Sequence, residues 1–109
     1  MIEKHYWKIK QAALDIDLCV VSKHHSIEEI QSYYVAGERI FAENRAAELI
    51  FKANALPKDI AWHYIGHLQR NKVKEILPIV SCIQSLDNIT LAKVIEKEAT
   101  KLNRKVDVL

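Results

Sequence analysis

A lysine that follows directly on a short apolar, β-branched run is the most chemically pointed feature of the sequence: Asp17-Leu18-Cys19-Val20-Val21-Ser22 leads into Lys23. At the top of a buried strand an amine is partly desolvated, which lowers its pKa and raises the share of neutral amine. Neutral amine attacks an aldehyde to give a Schiff base. Strand alternation puts Cys19, Val21 and Lys23 on one face, the face expected to point toward the core. A solvated loop lysine is the competing reading. Residue type and position alone favour it.

Three further apolar runs end in comparable residues: Glu43-Asn44, Gly66-His67 and Ser85-Leu86-Asp87. Loop chemistry alone accounts for any one of them, because strands end where polar turns begin. His63 and His67 are four apart, but Gly66 and a strand–loop boundary separate them, so the helical two-histidine metal geometry is not expected. His63 reads as a hydrogen-bonded interior residue and His24-His25 as loop. Arg70, Lys72 and Lys74, interleaved with Gln69 and Asn71, form a basic patch. A solvated helix start explains that patch more simply than a phosphate or nucleic-acid contact.

The elements that must position these residues alternate between strand and helix. An amphipathic segment (Ile2, Tyr6, Ile9, Ala13) precedes the first strand. Ser26 and Glu29 form an S-x-x-E capping box for a helix with Ile27, Ile30 and Tyr34 on one face, and Gly37 terminates it. Arg39–Ala42 reads as a second strand, followed by a helix with Ala46, Leu49, Ile50 and Ala53 inward. Ala61–Ile65 is a third strand, followed by a short helix through Val73, Ile76 and Leu77. Val80–Gln84 is a fourth, followed by the longest helix, about Asn88 to Leu102. A fifth strand begins at Val106 and reaches Leu109. This repeated βα pattern predicts an α/β fold, either a small open doubly wound sheet of flavodoxin type or part of a (β/α)8 barrel. In both, the functional edge is the carboxyl end of the strands.

Composition narrows the classes. The 109 residues are 50% hydrophobic and 28% charged, with a net charge of +2, which excludes compositional disorder and argues against a dedicated nucleic-acid binder. No apolar run approaches the ~18 residues of a membrane span, and the N-terminus has no apolar signal core. Two cysteines make neither a CxxC pair nor a disulfide framework, so a cytoplasmic protein is expected. Average usage would give roughly eight glycines. The two present, Gly37 and Gly66, cannot write a glycine-rich phosphate loop.

Taken as a set, Val20-Val21-Ser22-Lys23, Phe41-Ala42-Glu43-Asn44-Arg45 and Trp62-His63-Tyr64-Ile65-Gly66-His67-Leu68-Gln69-Arg70-Asn71-Lys72 resemble the pyridoxal-phosphate homeostasis proteins of the YggS/PROSC type. That family usually carries VSK, FGEN and WHxIGxLQxNK segments in this order, and the resemblance runs through essentially the whole chain. It implies a (β/α)8 barrel of the TIM type, related to the N-terminal domain of alanine racemase. Here residues 1–109 would form a partial barrel, the N-terminal half, truncated to about four βα units plus the start of a fifth strand. It also implies pyridoxal 5′-phosphate (PLP) held as a Schiff base on Lys23, with Asn44, His63 and Ser85 lining the pocket. The implied role is PLP carriage and homeostasis without established catalysis, with PLP-dependent apo-enzymes as recipients. No residue is assigned a catalytic or metal-binding role. Ala42 stands where the family usually has glycine, and the family's phosphate-binding residues are expected in the half not represented here.

Two other functions compete: a racemase-type Schiff-base enzyme using the same lysine, and a small α/β nucleic-acid or interaction module using Arg70, Lys72 and Lys74. A half barrel also predicts self-association through its open sheet edges, with the inward residues Val21, Ile83 and Val108 left against water.

Overall fold

The computed structural model describes Tyr6, Lys10, residues 18–86 and residues 88–108. The elements are β1 (Val20–Val21), α1 (Ile27–Val35), β2 (Ile40–Glu43), α2 (Ala46–Ala55), β3 (Ala61–Tyr64), a 3-10 turn (Arg70–Lys72) running into α3 (Val73–Ile76), β4 (Val80–Ile83), α4 (Ile89–Lys101) and β5 (Asp107–Val108). Of the amphipathic N-terminal segment only Tyr6 and Lys10 are described. Both reach buried Glu38, the Tyr6 hydroxyl at 2.7 Å and the Lys10 ammonium at 2.6 Å. The remainder of that segment, Asp87 and Leu109 lie outside the described residues.

Local signals explain the helix ends. The Ser26 hydroxyl accepts from the Glu29 amide at 3.1 Å while Glu29 Oε1 accepts from the Ser26 amide at 3.0 Å, closing the predicted capping box. Gly37 follows α1 with φ +112°, the conformation that favours glycine after a helix. Asn88 caps α4 by accepting the Leu91 amide at 2.7 Å.

All five strands are parallel, in the order β1-β2-β3-β4-β5. A doubly wound sheet reverses direction at a switch point; here every strand is added on the same side of its predecessor. Right-handed crossovers then put every helix on one face, and α2 packs on α3 and α3 on α4. The order therefore excludes the open doubly wound alternative. What is present is the arrangement of about half a (β/α)8 barrel.

Register separates the two faces. Phe41, Trp62 and Val80, then Glu43, Tyr64 and Ile83, pair across the strands and are buried under the helices. The Phe41 and Trp62 rings lie 5.9 Å apart at their centres within this layer. The opposite face carries the row Val21, Ala42, His63, Cys82 and Asp107, away from the helices among the described residues. Val21 is 44% exposed, so the Cys19–Val21–Lys23 face is the uncovered face and not the core-facing one. Ile83 corrects another expectation. It belongs to the helix-covered face and is fully buried, whereas its register partner Val108, at the edge, is 41% exposed.

Candidate functional site

Lys23 occupies a tight turn at the carboxyl end of β1. The His25 amide donates to the Ser22 carbonyl at 3.0 Å, and His24, the third residue of the turn, has φ +68°. A positive φ at that position alone is the type II pattern, which ordinarily selects glycine. A histidine there costs about 1–2 kcal/mol, so its surroundings must hold it. Lys23 itself is exposed. The expected burial is absent, because Lys23 lies in a turn beyond a two-residue strand at the edge of the described sheet.

Behind the turn lies a cluster that the sequence reading missed. Ser22, Glu43 and Lys52 are all buried. The Lys52 ammonium donates to Glu43 Oε2 at 2.8 Å, to the Ser22 carbonyl at 3.0 Å and to Glu48 Oε2 at 3.4 Å. The Ser22 hydroxyl is in hydrogen-bond contact with the Ala42 carbonyl at 3.0 Å and with Glu43 Oε2. Two periodicities carried the signal. Alternation from Phe41 puts Glu43 on the helix-covered side, and Lys52 follows Leu49 by three on the buried face of α2.

The next strand ends are locked by close approach. A Cβ on Gly66 would lie 2.1 Å from the Asn44 carbonyl oxygen, so only glycine lets these two backbones pass. The Tyr64 hydroxyl lies 3.3 Å from the Asn44 carbonyl and 3.1 Å from that of His67, and the Ser85 hydroxyl donates to the Gly66 carbonyl. Ser85 is thus a latch between β3 and β4, its hydrogen turned to the backbone. Beside these ends a cavity of about 380 Å³ opens between Asn44, Arg45, His67, Gln69 and Lys72. Within the basic patch, Lys72 pairs with Glu75 at 3.4 Å, while Arg70 and Lys74 are exposed.

Lys23 and Asn44 each follow by two residues the register pair Val21–Ala42, and His63 pairs with Ala42. His63 thus lies in the row of β3 opposite the helices, while Lys23 and Asn44 follow the carboxyl ends of the two preceding strands, in a turn and a bend. His63 is half-buried and its Nδ1 lies 2.7 Å from Gln84 Nε2, so the ring nitrogen accepts from the amide. Burial holds its pKa below the usual 6.5, against a smaller opposing pull from Asp107. The ring is neutral near pH 7. His67, beyond Gly66, is exposed and on a loop.

The fold and the strand-end lysine define part of a singly wound barrel with a primary amine on its open face. No family model matches the chain. Individual relatives do. It is 38% identical over 91 residues to the pyridoxal phosphate homeostasis protein of Synechocystis, covering 82% of this chain and 42% of that one. To the protein of the same name from Aquifex aeolicus it is 45% identical over 83 residues, covering 75% and 36%. Among solved structures it resembles PipY of Synechococcus elongatus without PLP (TM-score 0.86, 31% identity) over 95% of this chain and 50% of that chain. PipY with PLP bound gives a TM-score of 0.83 over 95% and 51%. Over the portion it spans, the chain belongs to the pyridoxal phosphate homeostasis protein family. It covers roughly two fifths of the length of these curated relatives and half of PipY.

Proposed function

We propose that this chain binds pyridoxal 5′-phosphate covalently through Lys23 and serves PLP carriage, not catalysis. The observation that carries the reading is the place of Lys23: an exposed amine on a fixed turn at the carboxyl end of the first strand. Asn44, just past the end of β2, and His63, in β3, would line the cofactor. The neutral amine adds to the aldehyde carbon, a C=N bond forms, and the carbonyl oxygen leaves as water. The relatives' name and the PLP-bound PipY structure support this assignment.

The phosphate is a different matter. Gly37 ends a helix and Gly66 is pressed against Asn44, so neither glycine frees a backbone nest for an anion. The anchor fits this chain better than the phosphate does. Carriage also fits the uncovered face, which leaves the bound group within reach of a recipient such as a PLP-dependent apo-enzyme. Among the described residues no helix is long and apolar enough to cross a membrane.

Mixing the protein with PLP should produce a near-visible absorption band, and borohydride should then fix the adduct to the Lys23 peptide. Lys23→Ala should remove most of it. An adduct spread over other lysines, or unchanged in Lys23→Ala, would refute the assignment. Racemisation of an amino acid by the PLP-loaded chain would refute the carrier reading.

A further inference from the structure

Lys23 projects from an exposed turn on a two-residue edge strand, a poor platform for a lysine that must meet one aldehyde in one orientation. Building on the functional reading above, we propose that Lys52 is the positioning residue for Lys23, clamping the Ser22–Lys23 peptide from the helix layer behind the sheet.

Ser22 is held through nearly every polar atom. Its amide donates to the Ala42 carbonyl at 2.9 Å, and its hydroxyl meets the same carbonyl and Glu43. Its carbonyl, which belongs to the Lys23 peptide unit, accepts from the His25 amide at 3.0 Å and from the Lys52 ammonium at 3.0 Å. The first of these bonds closes the turn. The second ties the turn to α2 through a side chain only 7% exposed, its ammonium fixed by Glu43 at 2.8 Å. A charge-assisted bond of this kind is roughly twice as strong as a neutral one. It opposes the left-handed strain at His24, which would otherwise favour opening.

The same cluster is poorly arranged for stability alone. Buried Glu43 Oε1 has no hydrogen-bond partner among the described residues. Buried ion pairs are often matched or bettered by apolar groups of the same shape, and a half-satisfied one is worse placed still. A lysine and a glutamate retained in this layer therefore serve geometry more than folding energy. Lys52 touches neither aldehyde nor reacting amine. It acts through the peptide that carries Lys23.

The double variant Glu43→Gln/Lys52→Met removes both charges together and should fold. The probe is PLP with borohydride trapping, read as the Lys23 share of total lysine adduct against time. Loss of the clamp should lower the Lys23 rate at least about tenfold, since displacements near 1 Å can cost a hundredfold in oriented reactions, while adduct on other lysines stays constant. Lys52→Arg, which keeps two donors on the buried side, should restore part of the rate. Unchanged Lys23 labelling in a folded double variant would overturn the proposal.

Should the double variant not fold, nuclear magnetic resonance on the unmutated protein decides. The Lys52 ammonium protons should exchange slowly and correlate with the Ser22 carbonyl carbon. A freely exchanging Lys52 overturns the clamp. A wild-type chain that forms no Lys23 adduct refutes the functional reading itself, a different result from equal labelling of both proteins.

Discussion

Replacing Gly66 by alanine tests the packing that brings the ends of β2 and β3 together. The added Cβ would lie 2.1 Å from the Asn44 carbonyl oxygen, 2.8 Å from its carbon and 2.9 Å from its Cα, all backbone atoms that cannot swing away. Reaching an ordinary contact near 3.4 Å requires a separation of about 1.3 Å. The Ile65 amide donates to the Glu43 carbonyl at 2.9 Å just beside this point, and such a displacement breaks it. Overpacking costs about 1–3 kcal/mol and the lost bond about 1 more, so Gly66→Ala should destabilise by roughly 2–4 kcal/mol. Gly37→Ala is the control. Nothing lies within 4 Å of a Cβ there, so only the positive φ counts, at about 1–2 kcal/mol. In urea, with a slope near 2 kcal/mol/M, the two midpoints should fall by about 1–2 M and about 0.5–1 M. A Gly66→Ala midpoint no lower than that of Gly37→Ala would refute the close approach and loosen the positions assigned to Asn44 and Ser85.

Three further outcomes are expected. His63 has a folded pKa below its ordinary 6.5, so the stability it contributes is complete above pH 6.5 and falls away as the pH drops from there toward the folded value. His63→Gln should remove that part of the acid sensitivity, and Asp107→Asn should lower the His63 titration further in proton resonance spectra. Pyridoxal and PLP should bind this chain within about tenfold of one another, because a single charge-assisted phosphate bond contributes about 1.5–3 kcal/mol and would exceed that ratio; isothermal titration showing a larger preference would reveal an anion site, with the cavity beside Arg45 and Lys72 the first place to look. Exposed Val21 and Val108 mark the two edge strands, so the chain should associate through them, and light scattering with an unfolding midpoint that rises with protein concentration is the expected signature. A monomer with a concentration-independent midpoint would show that these edges are protected.

Much of the fold was legible because it is written locally. The capping box of Ser26 and Glu29, the stop at Gly37 and the switch from β-branched runs to helical spacing each depend on neighbours within a turn or two. Strand order was not legible: nothing in one βα unit says on which side the next strand is added. The site divides in the same way. The places of Lys23 and Asn44 just past strand ends were legible because strand ends can be read from apolar runs. That Lys23 would be exposed was missed, since burial of a strand depends on what covers it. The Gly66–Asn44 contact joins residues from different loops and has no local trace. Glu43 and Lys52 had one, in two periodicities that each placed a charge on a buried face.

Those two charges also explain why one face of the sheet can carry the chemistry. In a singly wound sheet the helices support every strand from the same side, so the opposite side is free to present groups from successive strands. The helix-covered side must then hold the strand ends still without reaching the reacting atoms. At β3 and β4 this is done by backbone proximity, with Gly66 against Asn44 and Ser85 on the Gly66 carbonyl. At β1 no such neighbour is available among the described residues, where the two-residue strand has only β2 beside it. A long side chain from α2 supplies the missing restraint, its ammonium donating both to the Ser22 carbonyl and to the Glu43 carboxylate alongside. The restraint by Lys52 thus follows from the edge position of β1, and the buried pair from the need to neutralise its charge in an apolar layer.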